Sequence, residues 1–244
     1  MIQVLKRAHE VLDYLSTNEA TAMEISEALD LNRATVHRII KSLQDLDMVS
    51  TGSKAHTYSI GLETYRIGMS FKSKYDQEQM IRKQLEDLGR ETQLNAGLAV
   101  VNGLDIVSLY EVDQYSVVKF YQEGTKYPFN AGSYGKSIGA YLFDKASLTE
   151  NFSKIYLKES DELPMDPEAL DAVYESIRQR GYSISRGENI KGTKGYAVPI
   201  FNNKQEVIAS VSLVGLEHYM KDEDTEITIE IMKRYASKLS SILS

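Results

Sequence analysis

Residues 21–46 read TAMEISEALDLNRATVHRIIKSLQDL and contain two helix-start signals separated by a short break. The first four residues, Thr21–Glu24, have the spacing of a capping box, in which the Thr oxygen and the Glu carboxylate each accept a free amide hydrogen. Asp30-Leu31 favours a tight turn, and Asn32 is a good N-cap for the next helix. That helix has one apolar face, formed by Val36, Ile39, Ile40, Leu43 and Leu46. The stretch predicts a short helix, a turn and a second helix.

The flanking segments extend this pattern to a winged helix-turn-helix over residues 1–61. Upstream, apolar residues at helical spacing run from Val4 to Leu15 and predict a first helix. Downstream, the run from Ser50 to Ile60 has a polar, Gly-containing tip and predicts a short β-hairpin, the wing. This order of elements is typical of a DNA-binding domain.

The outward face of the second helix of the motif is predicted to enter a major groove. No acidic residue lies between Asp30 and Asp45, so the face opposite Val36 is electropositive. Arg can read guanine, Lys and Thr can hold phosphates, and a small residue permits close approach. The alternative, ordinary solvated charges, is disfavoured because the capped helix, turn and wing accompany them. The predicted DNA contacts are Asn32, Arg33, Ala34, Thr35, His37, Arg38, Lys41, Lys54 and His56.

Composition excludes several other classes of protein. The 244 residues are 42% hydrophobic and 26% charged, which is typical of a globular chain. Residues 1–74 carry nine Lys/Arg and nine Asp/Glu, so the whole net charge of −7 lies in residues 75–244. The absence of cysteine excludes disulfides, thiolate metal sites and cysteine nucleophiles. The longest uncharged stretch, 13 residues, is shorter than the roughly 18 that span a membrane. We therefore expect a cytoplasmic protein without a membrane partner.

The rest of the chain predicts an α+β architecture with an antiparallel sheet. Residues 62–74 are expected to form a linker helix, and residues 75–244 a second domain. The sequence Asn102-Gly103 between two β-prone runs is a strong hairpin signal. The predicted strands are Asn95–Val101, Leu104–Val112, Val117–Tyr121, Gly195–Phe201 and Glu206–Val214. The predicted helices are approximately Gln77–Thr92, Gly135–Phe143, Leu148–Lys154, Asp166–Gly181 and Asp222–Leu243.

The segment Asn32–Leu43, NRATVHRIIKSL, resembles the recognition helix of the IclR family of bacterial transcriptional regulators. Later segments fit the same family in order: Ala131–Ser137, Arg180–Tyr182, Ala197–Phe201 and Ser210–Gly215. The resemblance covers essentially the whole chain. It implies an N-terminal winged helix-turn-helix, a linker helix and a C-terminal GAF-like effector-binding domain. It also implies homodimers that pair into homotetramers on double-stranded operator DNA, and no cofactor.

The resemblance further implies an effector pocket formed by Ser133, Tyr134, Ser185, Gly195, Ser212 and Val214. Family members that bind small keto acids have a small residue where this chain has Tyr134. They have an acid in place of Ser185, a cysteine in place of Gly195 and a serine in place of Val214. These departures argue against a glyoxylate-like effector. The remaining hydroxyls favour a polar organic acid or a sugar-derived ligand, unless each serves only its own turn or strand.

Three other interpretations are weaker. Gly135-Lys136-Ser137 resembles the end of a phosphate-binding loop, but Asn130 stands where that loop needs its first Gly, so a helix N-terminus facing an anion is favoured. The acidic run Asp222–Glu226 suits a helix start, and the four histidines lack ligand spacing, so no metal is predicted. No Ser-centred elbow is present, and an enzyme is not predicted. A protein-interaction module remains the alternative to a regulator.

Overall fold

The computed structural model describes residues 2–72, 77–114, 120–155 and 166–243. The chain forms two compact units, residues 1–76 and 77–244. The helices of the first unit are α1 (Gln3–Thr17), α2 (Ala22–Ala28), α3 (Arg33–Asp45) and α4 (Leu62–Lys72). Its strands are β1 (Ala20–Thr21), β2 (Val49–Thr51) and β3 (Thr57–Ile60), which pair antiparallel in the order β1-β3-β2. The unit is a winged helix-turn-helix, as predicted.

Both predicted helix caps are formed. The Thr21 hydroxyl accepts the Glu24 amide hydrogen, and the Glu24 carboxylate accepts the Thr21 amide hydrogen at 2.7 Å, which completes the capping box of α2. The Asn32 Oδ1 accepts the amide hydrogen of Ala34 at 2.9 Å and so caps α3. The helices and strands enclose one apolar core, which contains Val11, Leu15, Ile25, Val36, Ile39, Ile40, Leu43 and Val49.

The second unit is a six-stranded antiparallel sheet with helices on both faces. Its strands are β4 (Asn95–Asn102), β5 (Asp105–Val112), β6 (Lys126–Tyr127), β7 (Ser183–Arg186), β8 (Thr193–Phe201) and β9 (Val207–Leu216), in the order β6-β5-β4-β9-β8-β7. Its helices are α5 (Glu78–Thr92), α6 (Gly132–Leu142), α7 (Lys145–Ile155), α8 (Pro167–Arg180) and α9 (Thr225–Leu243). One face packs against α6, which α8 covers, and the other against α5 and α9. The unit has the predicted α+β character.

The second unit differs from the prediction in its edge strands, in the predicted strand Val117–Tyr121 and in the start of its last helix. The short edge strands β6 and β7 were not predicted, because two and four residues carry too little alternation to be recognised. The predicted strand Val117–Tyr121 lies partly outside the described residues, and its described residues, Phe120 and Tyr121, are not in a strand. Helix α9 begins at Thr225 because residues 222–224 form a separate 3-10 turn.

At Gly135, the N-terminal half of α6 packs closely against the main chain of Pro128. A Cβ on Gly135 would lie 1.8 Å from the carbonyl oxygen of Pro128. Because a main-chain carbonyl cannot rotate away as a side chain can, Gly135→Ala should lower the free energy of unfolding by about 1–3 kcal/mol, measured by urea denaturation. Gly68→Ala on α4 is the control, since its Cβ would meet nothing within 4 Å. An equal effect of the two substitutions would contradict this packing.

Candidate DNA-binding face and candidate effector site

The predicted DNA contacts lie on α3, its N-cap and the wing. Eight of the nine are exposed, and Thr35 is half-buried. Within the described ranges, no ion pair engages Arg33, Arg38, Lys41 or Lys54, so these charges are open to phosphates. Ala34 lies in the first turn of α3, where its amide is held by the cap. The structure therefore presents a basic helix face with a small residue near its start.

Arg38 lies closer to α1 than the helical periodicity indicates. A groove of about 690 Å³ runs between α1 and α3, and Thr35 and Arg38 line it together with Leu5 and Leu46. The remaining predicted contacts on α3 do not line this groove; they are Arg33, Ala34, His37 and Lys41. Arg38 is thus at the edge of the exposed basic face, which suits contact with the DNA backbone better than contact with base edges.

The tip of the wing is held by a residue that sequence reasoning missed. The Glu19 carboxylate accepts hydrogen bonds from the Ser53 amide at 2.8 Å and the Ser53 hydroxyl at 2.6 Å. These hydrogen bonds lower the pKa of Glu19, first through the Ser53 hydroxyl and then through its amide, and the charge of Lys54 adds to the effect. Lys54 and His56 therefore project from an ordered tip. The pair is separated by 34 residues, so no local signal could have revealed it.

The six predicted effector residues lie on or beside the face of the sheet that α6 covers. Ser133 in the first turn of α6 lies 3.1 Å from Ser212 on β9, measured between the two hydroxyl oxygens. Gly195 on β8 pairs with both Ser185 and Val214, and a Cβ on Gly195 would lie 3.1 Å from the Ser133 hydroxyl. All six residues are buried. The structure thus brings the serines and the glycine together, in a closely packed arrangement.

Tyr134 connects this cluster to a half-buried carboxyl group, Glu111, that sequence reasoning also missed. The Tyr134 hydroxyl donates to Glu111 Oε1 at 3.3 Å, and the Ser108 hydroxyl donates to the same oxygen at 2.5 Å. A register shift between Leu98 and Ala99 pairs Ser108 and Glu111 with Ala99 and Gly97, on one face of the sheet. Burial raises the pKa of Glu111 to about 8, although both hydrogen bonds oppose the shift.

Three tyrosine rings surround this carboxyl group. The ring centroids of Tyr121, Tyr127 and Tyr134 lie 5.1–5.9 Å apart. The Tyr127 hydroxyl is buried and finds no hydrogen-bond partner in the part of the chain that the structure describes. Beside the rings lies a cavity of about 650 Å³, lined by Glu111, Asp113, Phe120, Tyr121, Gln122, Glu123 and Thr125. None of the six predicted effector residues is among these described lining residues, so the cavity does not coincide with the predicted effector cluster.

The N-terminus of α6 faces an anion, and that anion belongs to the chain itself. The Gly132 amide donates to Glu188 Oε2 at 2.8 Å, and Lys136 Nζ lies 2.5 Å from Glu188 Oε1. The Lys136 ammonium also donates to the carbonyl of Ile184 at 2.8 Å. Burial lowers the pKa of Lys136, and the Glu188 charge opposes the shift. The lysine of the Gly135-Lys136-Ser137 sequence therefore pairs with a carboxylate of the second unit itself.

The described ranges, residues 2–72, 77–114, 120–155 and 166–243, show neither a metal site nor a membrane span. They hold no group of three or more His, Cys, Asp or Glu side chains placed to bind a metal ion. None of their helices is both long enough and apolar enough to cross a membrane. Asp222, from the acidic run, instead pairs with Lys194 at 2.7 Å and with Arg186 at 2.5 Å.

Comparison with known proteins gives matches along the whole chain. The family model for the bacterial transcriptional regulator IclR C-terminal domain matches residues 69–241, and that for the IclR helix-turn-helix domain matches residues 4–52. The HTH-type transcriptional regulator BhcR of Paracoccus denitrificans is 26% identical over 242 residues, covering 98% of this chain and 86% of BhcR. XynR of Escherichia coli is 25% identical, covering 100% of this chain and 98% of XynR.

Solved structures agree with the fold. An IclR transcriptional regulator from Alicyclobacillus acidocaldarius superposes with a TM-score of 0.82 at 22% identity, covering 100% of both chains. An IclR homologue from Microbacterium hydrocarbonoxydans, solved in complex with 4-hydroxybenzoate, superposes with a TM-score of 0.77 at 21% identity, covering 99% of both chains. Since one family model alone spans more than half of the residues, the chain belongs to the IclR family of bacterial transcriptional regulators.

Proposed function

We propose that this regulator binds double-stranded operator DNA through α3 and the wing, under the control of a small-molecule effector held in the second unit. It acts in this proposal without catalysis and without a cofactor, in the cytoplasm where the DNA lies. The observation that carries the proposal is the exposed basic face of α3, on which Arg33, Arg38 and Lys41 lack ion-pair partners among the described residues. Such unpaired cations favour phosphate contacts, because binding releases the counterions of the DNA.

The effector half of the proposal rests on the second unit. The homologue solved with 4-hydroxybenzoate supports binding of a small molecule by a domain of this fold. In this chain the Ser133 and Ser212 hydroxyls lie 3.1 Å apart, and the neighbouring Tyr134 donates to the half-buried Glu111 carboxyl, which lines a cavity large enough for a small ligand. The sequence favours a polar organic acid or a sugar-derived ligand. The described residues that line the cavity, however, include three carboxyl groups.

We further propose that the regulator acts as a homodimer that pairs into a homotetramer. Helix α4 has large apolar side chains exposed in the single chain, among them Leu62 at 77% and Tyr65 at 63% exposure. Such side chains favour contact with a second copy. Effector binding would select one arrangement of the subunits, and α4 would carry that choice to the recognition helices. Operator affinity would then change because the spacing of the half-sites is a geometric requirement.

The DNA-binding test is a salt titration of Arg38→Ala. The duplex is selected from a random-sequence pool by the protein itself, and binding is followed by fluorescence anisotropy. Losing one phosphate contact should weaken binding to all duplexes and reduce the slope of log K against log salt by about 0.9. Lys83→Ala, at an exposed lysine of α5 in the second unit, is the control and should leave the slope unchanged.

Two results would count against the proposal. An unchanged slope and affinity in Arg38→Ala would remove this residue from the phosphate contacts. A nearly flat salt dependence in the unmodified protein would favour docking on another protein instead, since no counterions would be released from DNA.

A further inference from the structure

The described residues that line the cavity beside the tyrosine cluster carry charges of one sign. Its described lining residues include three carboxyl groups and no cationic side chain. Glu123 is paired with Arg82 at 2.9 Å. Neither Glu111 nor Asp113 has an ion-pair partner within the ranges described. Two carboxyl groups therefore face the cavity without a counter-charge from the residues that the structure describes.

Glu111 is held in place by its surroundings. The hydroxyls of Ser108 and Tyr134 both donate to Oε1. Gly97 lies directly beneath the carboxyl group, since a Cβ there would lie 2.1 Å from Glu111 Oε2 and 2.2 Å from the Tyr134 hydroxyl. A carboxylate held in a poorly solvated place is costly unless a cation or several hydrogen bonds compensate. This arrangement leaves Oε2 and the adjoining cavity open to a compensating positive group.

The aromatic residues beside Glu111 also favour a positive group. Phe120 and Tyr121 line the cavity, and Tyr121 packs against the other two tyrosines of the cluster. Faces of aromatic rings attract ammonium groups, and recognition of ammonium ligands by several rings together is a recurring arrangement in proteins. Tyr127, a residue only 7% exposed, has a hydroxyl without a hydrogen-bond partner among the described residues, although buried hydroxyls are normally paired. This hydroxyl belongs to the ring that packs against Tyr121, which lines the cavity.

We propose that the effector of this protein carries an ammonium group, which binds in the cavity between the Glu111 carboxylate and the Tyr121 ring. The inference rests on the proposed effector control and names the ligand class of that control. An organic acid would instead meet the Asp113 side chain and, once it ionises, the Glu111 carboxylate. The amides at the N-terminus of α6, the other place suited to an acid, already face Glu188.

Ammonium binding at this place is coupled to a proton. In the free protein Glu111 has a pKa of about 8, raised by burial and by the charges of Asp113 and Glu123. The other groups that face it, Ser108 and the three tyrosines, are neutral at pH 7. An ammonium ligand favours the ionised carboxyl, so binding releases a proton, and affinity rises as the pH rises from 6 to about 8.

The test uses isothermal titration calorimetry of the full chain with choline and putrescine as cationic probes. The matched neutral probe is 3,3-dimethylbutan-1-ol, which has the shape of choline without its charge, and 4-hydroxybenzoate is the acidic probe. We expect at least one cation to bind and to do so more tightly at pH 8 than at pH 6. Choline keeps its charge at every pH, so a pH dependence of its binding reports on the protein.

Glu111→Gln keeps the size of the side chain and removes its charge, and it should weaken cation binding by about tenfold or more and abolish the pH dependence. Glu86→Gln, at an exposed position of α5, removes the same charge elsewhere and should leave cation binding unchanged. Circular dichroism checks that both variants fold.

The inference is overturned if neither cation binds, or if Glu111→Gln binds them as the unmodified protein does. Binding of 4-hydroxybenzoate or of the neutral alcohol in preference to the cations would also overturn it. In each of these cases, a protein that binds its selected duplex with the expected salt dependence still supports the proposed function. Loss of that salt dependence would contradict the proposed function independently.

Discussion

Ala34→Glu is expected to weaken operator binding by a hundredfold or more, because like charges brought together at an interface cost several kcal/mol. Ala34 is exposed in the first turn of α3, next to Arg33 and one turn from His37 and Arg38. A carboxylate there would face the phosphates and would fill the space that close approach to the groove requires. Fluorescence anisotropy with the selected duplex measures the loss.

The matched control is Ala146→Glu on α7. Ala146 is also exposed in the first turn of a helix, but that helix belongs to the second unit and is not part of the basic face. It should leave DNA affinity unchanged, and both variants should unfold at the temperature of the unmodified protein. Near-normal affinity of Ala34→Glu would show that the outward face of α3 is not the DNA-binding face.

The first unit was predictable because its signals are local. A capping box spans four residues, and an N-cap acts on an amide two or three residues later, so both can be read from a short stretch. The hydrogen bonds at Thr21 and Asn32 confirm these predictions. The wing hairpin was predicted for the same reason, but the Glu19 contact that holds its tip was not. The DNA contacts themselves remain predictions.

The second unit was predictable in its hairpins and long helices and less so in its candidate site. The resemblance identified Ser133 and Ser212 correctly as neighbours, and it marked Tyr134 as a departure from the family. It did not reveal the partner of Tyr134, because Glu111 reaches the tyrosine only through the register shift in β4 and β5. A bulge of this kind leaves no reliable trace in one sequence. The effector role of these residues also remains a prediction.

Lys136→Met is expected to lower the free energy of unfolding by about 3–5 kcal/mol, the range found when one partner of a buried ion pair is removed. Lys136 and Glu188 are 52 residues apart in sequence, and their charged atoms lie 2.5 Å apart at the N-terminus of α6. Met fills the space of the lysine chain but leaves the Glu188 carboxylate, among the described residues, with the Gly132 amide alone as its hydrogen-bond partner. Urea denaturation of the full chain, followed by circular dichroism, measures the change.

A double-mutant cycle separates the ion pair from simple packing. Glu188→Gln alone should also destabilise the protein, because it leaves a buried ammonium group whose remaining acceptor is the Ile184 carbonyl. Lys136→Met combined with Glu188→Gln removes both charges and should cost clearly less than the sum of the two single changes. If the two costs add, the charges are not coupled, and α6 depends on packing rather than on the anion at its N-terminus. If the two charges are coupled, the Glu188 carboxylate is the anion that stabilises the N-terminus of α6 together with Lys136.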